Sequence, residues 1–135
     1  MNHNMRIQKD EANFFLFSEK SRNELQYAST ILQNDENFVL RFVRFNGINL
    51  KYASMELRNN RKIVLAAVKN YPNALAYASK ELQDDREIVL LAVLNNGNAL
   101  AFASAGLRND REIVLVADRN ALAFASVGLR KNLDS

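Results

Sequence analysis

A repeat of 25 residues constrains the fold of this chain more than any other sequence feature. The tripeptide Tyr-Ala-Ser begins at residues 27, 52 and 77, and Phe-Ala-Ser begins at residue 102, so four copies are spaced by 25. A fifth copy begins at Phe124 after only 22 residues. Apolar triplets that begin at residues 38, 63, 88 and 113 have the same period. A fixed period of this length is typical of solenoids, in which each unit buries its apolar face only against its neighbours.

The repeat defines the domain organisation. It divides the chain into units 11–35, 36–60, 61–85, 86–110 and 111–132, of which the last is three residues shorter. A length of 135 residues suits one domain. We therefore expect a polar N-terminal tail at 1–10, a single helical-repeat domain at 11–132 and a C-terminal tail at 133–135.

The first helix of each unit is predicted from its two ends. Asp84 and Glu87 have the three-residue spacing of a capping box, which satisfies free N–H groups where a helix begins. Gly97 stands where a left-handed residue commonly ends a helix, and Gly47 has this position in the second unit. Pro72, which also stops a helix, has it in the third unit. The first helix therefore covers the apolar triplet.

A second helix is predicted to follow. Asn98 is a preferred N-cap residue, and Leu100, Ala103 and Leu107 then form a stripe on one helix face. Isoleucine and valine favour strands, but the caps and stripes favour helices. Short isolated helices are marginal in water, so packing between units must stabilise them. The predicted fold is an all-α solenoid of about five helix-turn-helix units, hence about ten helices, with the last unit shortened.

The residue inventory argues against an enzyme. The chain has no Cys, and its one histidine, His3, lies in the polar tail. Thiol nucleophiles, thiolate metal sites and imidazole catalysis are thereby excluded. The recurrent serines have no neighbouring base and are interpreted as small packing residues, and the acids near Asp84 as helix caps rather than a cation site. We predict a protein without enzymatic activity, cofactor or metal.

One local cluster of basic residues stands out. The whole chain carries a net charge of +3, but residues 41–69 contain seven basic residues and only one acid, which makes +6. Arg44 and Lys69 occupy the same position in successive units, so stacking would place them about 10 Å apart. The candidate residues for binding an anion or a partner are Arg41, Arg44, Lys51 and Lys69. The alternative interpretation is a solvated surface without a ligand.

The motifs Asp-Arg-Glu-Ile-Val-Leu, Tyr/Phe-Ala-Ser and Leu-Arg-Asn-Asp resemble an uncharacterised tandem-repeat family, a domain of unknown function. One copy corresponds to about two of the units defined above, and the match is strongest from Arg61 to Arg130. The resemblance implies a repeat scaffold with no assigned catalytic residues. It also implies occurrence in effector-like proteins of intracellular bacterial pathogens and in some protists and algae.

These observations favour a protein-protein interaction or scaffolding module with an unknown protein partner. The alternative is binding of nucleic acid or an anionic ligand through the basic cluster in the second and third units. No secretory signal or membrane span is predicted, which indicates a cytoplasmic protein or one delivered into a host cell.

The three residues lost between Ala117 and Asn120 should shorten the helix there. Val127 and Leu129, near a free edge, suggest weak self-association through the end units.

Overall fold

The computed structural model describes residues 25–120, in which helical segments of three kinds alternate and no strand occurs. The ten-residue helices are α2 (Glu36–Phe45), α4 (Arg61–Asn70), α6 (Arg86–Asn95) and α8 (111–120). The one-turn helices are α1 (Thr30–Gln33), α3 (Met55–Arg58), α5 (Lys80–Gln83) and α7 (Ala105–Arg108). The 3₁₀ helices are Leu25–Tyr27, Gly47–Tyr52, Pro72–Tyr77 and Gly97–Phe102.

Corresponding segments of successive units pack side by side. The long helices α2, α4 and α6 form one row, and the 3₁₀ helices form a second row that packs against it. Each unit therefore completes its core against the units before and after it, as the 25-residue period predicts. The predicted all-α solenoid is confirmed.

The core consists of the residues that repeat. The apolar pairs Phe38-Val39, Ile63-Val64 and Ile88-Val89 are almost fully buried. The Leu and Ala stripes predicted for the second helices are buried in the second and third units, where they comprise Leu50, Ala53, Leu57, Leu75, Ala78 and Leu82. The aromatic residue before each stripe alanine lies further out, since Tyr27 is 54% exposed and Phe102 is 36% exposed.

The predicted second helix is divided in two, so each unit has three segments instead of two. The break falls at Ala103 and Ser104, whose backbones are extended. The hydroxyl oxygen of Ser104 accepts a hydrogen bond from the backbone N–H of Leu107 and begins α7. Our interpretation of the serines as packing residues was wrong, because Ser29, Ser54, Ser79 and Ser104 are all N-caps.

The same serines join neighbouring units. The Ser79 hydroxyl donates to Asn59 Oδ1 at 2.6 Å, and the Ser79 N–H donates to the Arg58 carbonyl at 2.9 Å. Ser54 and Ser104 make the equivalent pair of bonds to the preceding one-turn helix. Each of these three described junctions is thus closed by the residue that also starts a helix.

Two of the predicted helix caps are displaced by one or two residues. Asp85, not Asp84, caps α6, because its Oδ1 accepts from the Ile88 N–H at 3.1 Å. Glu87 is then the second residue of the helix and cannot complete a capping box. Asn96, not Asn98, caps the 3₁₀ helix that follows, through a bond of 3.1 Å from the Asn98 N–H.

The glycines Gly47 and Gly97 also have a different role from the predicted one. No glycine among residues 25–120 has a positive φ, so left-handed backbone is not what requires them. A Cβ at Gly97 would lie 2.5 Å from the backbone oxygen of Ala117, and one at Gly47 would overlap the backbone oxygen of Ala67. These glycines therefore allow the next long helix to approach closely.

The prediction of a shortened helix near Ala117 is wrong, because residues 111–120 are all helical, so this helix has at least the ten residues of the other long helices. Asn120 aligns with Asn95 and Ala121 with Ala99, so the three missing residues correspond to 96–98, after the helix. The predicted tails 1–10 and 133–135, both domain ends and the self-association residues Val127 and Leu129 lie outside the described residues.

Candidate partner-binding surface

The exposed side of the long-helix row changes character along the solenoid. One repeat position holds Arg44 in α2, Lys69 in α4 and Leu94 in α6, and Leu94 is 59% exposed. Helix α2 contains two Arg and one Glu (+1), and α4 contains one Arg and two Lys (+3). Charges cancel in α6 and in residues 111–120. The surface is therefore basic at α2 and α4 and becomes apolar at α6.

A basic pocket of about 490 Å³ lies between α2 and α4 and is lined by Arg44, Ala66, Lys69 and Asn70. The Asn70 side chain is positioned by a hydrogen bond, in which its Oδ1 accepts from the Gly47 N–H at 2.5 Å. Neither Arg44 nor Lys69 has a carboxylate of residues 25–120 within ion-pair distance. The pocket therefore presents two uncompensated cations on one side.

The other two candidate residues lie outside this pocket. Arg41 is exposed one turn before Arg44, with its guanidinium 5.3 Å from the centre of the Phe38 ring. Lys51 belongs to the 3₁₀ row, where its ammonium is 5.5 Å from the centre of the Tyr52 ring. The structure thus groups Arg44 with Lys69 and places Lys51 on a different row. Anion binding by these residues stays a prediction.

An apolar groove of about 480 Å³ lies beside the pocket, between α4 and α6, and sequence analysis did not find it. Its apolar lining is Leu65, Leu90, Leu91 and Leu94, and Arg86 and Glu87 complete it. Its signal appears only when units are compared position by position, because Leu91 and Leu94 replace Arg41 and Arg44 of the second unit. Helix α6 is consequently apolar on its exposed side as well as its buried side.

Ion pairs compensate the arginines beside the groove. Arg61 donates to Asp85 Oδ2 at 3.1 Å and to Glu87 Oε2 at 2.6 Å. One unit further on, Arg86 donates in the same way to Asp110 at 3.4 Å and Glu112 at 2.7 Å. These exposed pairs contribute little stability individually, but each arginine meets two carboxylates, so no excess positive charge lies beside the groove.

The pairs also shift the pKa values of their members. Hydrogen bonds to the two carboxylates raise the pKa of each arginine. Burial alone would raise the pKa of Asp85, but its hydrogen bonds from the Ile88 N–H and from Arg61 outweigh this, and the pKa is lowered. The pKa of Asp110 is lowered first by the Ile113 N–H and then by Arg86.

The corresponding junction between α2 and α4 has the opposite arrangement. Glu36 occupies the arginine position, and the Asn60 amide donates to its Oε1 at 3.2 Å. Lys62 stands where later units have Glu87 and Glu112. The first described junction is therefore reversed in polarity relative to the next two.

The remaining candidates have structural roles in the described part of the chain. The Oγ of each described serine caps a helix, and Asp85 and Asp110 cap α6 and α8. Residues 25–120 contain no group of three or more acidic or histidine side chains suited to a metal ion. No helix among them is long and apolar enough to cross a bilayer.

The fold and its repeated surface define an all-helical tandem-repeat protein. The model of the family described as Domain of unknown function (DUF4116) matches residues 19–54, 35–83 and 85–117, together more than two thirds of the chain. The chain belongs to this family, which confirms the predicted resemblance. The match at 35–83 covers about two of the 25-residue units. No curated protein and no solved structure matches the chain.

Proposed function

We propose that this protein is a non-enzymatic interaction module that binds a protein partner on the exposed side of its long-helix row. The observation that carries the proposal is the leucine-lined groove between α4 and α6. Leu94 is 59% exposed, and Leu115 extends the same surface with 49% exposure. Apolar side chains that cluster on the surface of a protein indicate an interaction site.

The arrangement of polar groups supports a binding role without bond chemistry. The described serines use their hydroxyl groups to cap helices, and three of them also donate to the neighbouring unit. Asp85 and Asp110, whose pKa values are lowered from the ordinary 3.8, are ionised near neutral pH and accept hydrogen bonds from arginines. An ionised carboxylate held by an arginine is poorly suited to act as a general acid.

Site-specific photo-crosslinking tests the proposal. A photoreactive phenylalanine derivative replaces Leu94 in one variant and the exposed Glu81 of α5 in a control, in extracts of the native cells. We expect one discrete protein adduct from position 94, identified by mass spectrometry and lost when Leu91→Ser is added. Equal adducts from both positions, or an adduct that nuclease removes, would contradict a protein-binding role for this surface.

The basic pocket favours a second candidate function, the binding of an anionic ligand or nucleic acid. Arg44 and Lys69 line one pocket, and neither has an ion-pair partner among residues 25–120. Such binding should weaken steeply with salt, because phosphate contacts release counterions. The affinity for a single-stranded RNA is measured at about 50 mM and about 200 mM salt, a range over which counterion release weakens phosphate binding strongly. If the pocket binds phosphate, Arg44→Glu with Lys69→Glu abolishes binding and Lys51→Glu does not.

A further inference from the structure

We infer that the partner presents a segment whose acidic side chains enter the basic pocket while its apolar side chains fill the leucine groove. This inference rests on the proposed function and adds the chemistry of the partner. The pocket supplies Arg44 and Lys69, and the groove supplies Leu65, Leu90, Leu91 and Leu94. The two depressions together form one composite surface.

The pocket and the groove share helix α4. Ala66 and Lys69 line the pocket, and Leu65, next to Ala66 in the chain, lines the groove. Axes of packed helices are about 8–10 Å apart, so a segment that crosses the row from one depression to the other spans at least about that distance. A helical partner covers about 10 Å with two turns, and an extended partner covers it with about three residues.

The distribution of charge fixes the orientation of such a segment. Beside the groove, Arg61 and Arg86 are each paired with two carboxylates, so no excess positive charge is available there. In the pocket, Arg44 and Lys69 are without ion-pair partners in the described chain. Acidic side chains are therefore attracted to the α2 end of the surface. Complementarity of this kind determines register more than affinity.

An acidic and apolar protein segment fits this surface better than a polyanion does. A nucleic-acid backbone carries charge along its whole length, but cations outnumber acids only in α2 and α4 of the long-helix row. If a nucleic acid covered this surface, the leucine side chains of the groove would contact phosphates, and their apolar surface would not be buried favourably. A segment with separate acidic and apolar parts satisfies both depressions at once.

Peptide selection on the full chain tests the inference. A phage library of random 16-residue peptides is selected on the wild type and on Arg44→Glu with Lys69→Glu. The control carries Lys51→Glu with Lys80→Glu, which changes two exposed lysines on other rows and lowers the net charge equally. Circular dichroism and thermal unfolding establish that each variant is folded. Selected peptides are synthesised, and their Kd values are measured by fluorescence anisotropy.

We expect wild-type selection to enrich Asp or Glu at a fixed spacing from Leu, Ile or Phe. The affinity should fall at least tenfold in the pocket variant (Arg44→Glu with Lys69→Glu), because charge pairs are lost, and about fivefold in Leu94→Ser, because part of an apolar contact is lost. It should fall less than twofold in the control. Selection on the pocket variant should enrich Lys and Arg in place of the acids. A purely structural role of Arg44 and Lys69 would not reverse the selected charge.

The other outcomes separate this inference from the proposed function. Enriched peptides that lack acids and bind the pocket variant as well as the wild type overturn the inference but leave the interaction module intact. Failure to enrich any peptide counts against the proposed function and the inference together. Tighter binding to single-stranded RNA or to vesicles containing phosphatidylserine, lost in the pocket variant, assigns the surface to a different occupant and overturns the inference.

Discussion

Replacement of two glycines by alanine should have opposite effects on stability. A Cβ at Gly97 would lie 2.5 Å from the backbone oxygen of Ala117 and 3.3 Å from the carbonyl carbon and Cα of the same residue. A Cβ at Gly106 would meet nothing within 4 Å. Because neither glycine has a positive φ, backbone strain does not enter the comparison. The difference between the variants isolates the close approach of α8 to the 3₁₀ row.

The expected magnitudes follow from these contacts. At Gly97 the facing backbone must move, and overpacking of this kind costs about 1–3 kcal/mol. Alanine also restricts the unfolded chain, which stabilises the protein by about 0.4–1 kcal/mol. We therefore expect the free energy of unfolding to fall by about 1–2 kcal/mol in total. Pro72 holds a Cβ at the same position of the third unit, so the stack can adapt without unfolding. At Gly106, within α7, alanine should stabilise the protein by about 0.5–1 kcal/mol.

Urea unfolding followed by circular dichroism at 222 nm measures both variants against the wild type. The stabilities of the two alanine variants should differ by about 1.5–3 kcal/mol, the sum of the two effects above. In a protein of this size each kcal/mol corresponds to a Tm change of about 3–5 °C. Equal stability of Gly97→Ala and wild type, or equal loss in both variants, would refute the packing argument.

Two further predictions concern buried and ionised side chains. Asn49→Ala removes the acceptor of the buried Leu25 N–H, 2.8 Å away, and should lower the free energy of unfolding in urea by about 1–3 kcal/mol. The exposed control Asn98→Ala should lower it by less than about 0.5 kcal/mol. Equal losses of stability in the two variants would contradict this prediction. The pKa of Asp85 is held below its ordinary value of 3.8, so its stabilisation is complete above about pH 5 and is lost as pH falls through the folded pKa. Asp85→Asn keeps a helix cap of the kind that Asn60 makes, but its free energy of unfolding should depend less on pH between pH 7 and pH 3 than that of the wild type. An unchanged pH dependence would exclude this contribution of Asp85.

The period and the core could be predicted from sequence, because every unit repeats the same apolar positions. The triplet beginning at Ile63 and the stripe of Leu75, Ala78 and Leu82 are buried as expected. The division of the second helix could not be predicted in the same way. A small residue such as Ser79 suits either close packing or a helix cap, and only its extended backbone decides between them.

The surface was partly predictable. The pairing of Arg44 with Lys69 follows from their common repeat position, and the pocket between α2 and α4 contains both. Lys51 was grouped with them by distance along the sequence, but it belongs to another row. The groove was missed because Leu91 and Leu94 look like ordinary core residues until the rows show which side of α6 is exposed.

The reversed polarity at Glu36 makes the order of the units part of the information in the chain. Arg61 and Arg86 each pair with an Asp at the end of their own unit and with a Glu of the unit that follows, whereas Glu36 has Asn60 and Lys62 at these positions. If the second unit were transplanted ahead of a later one, Glu36 would face a second acid, Glu87 or Glu112, at the new junction. Duplication of the fourth unit would repeat the arginine pairing at the new junction, whereas displacement of the second unit would place like charges across it.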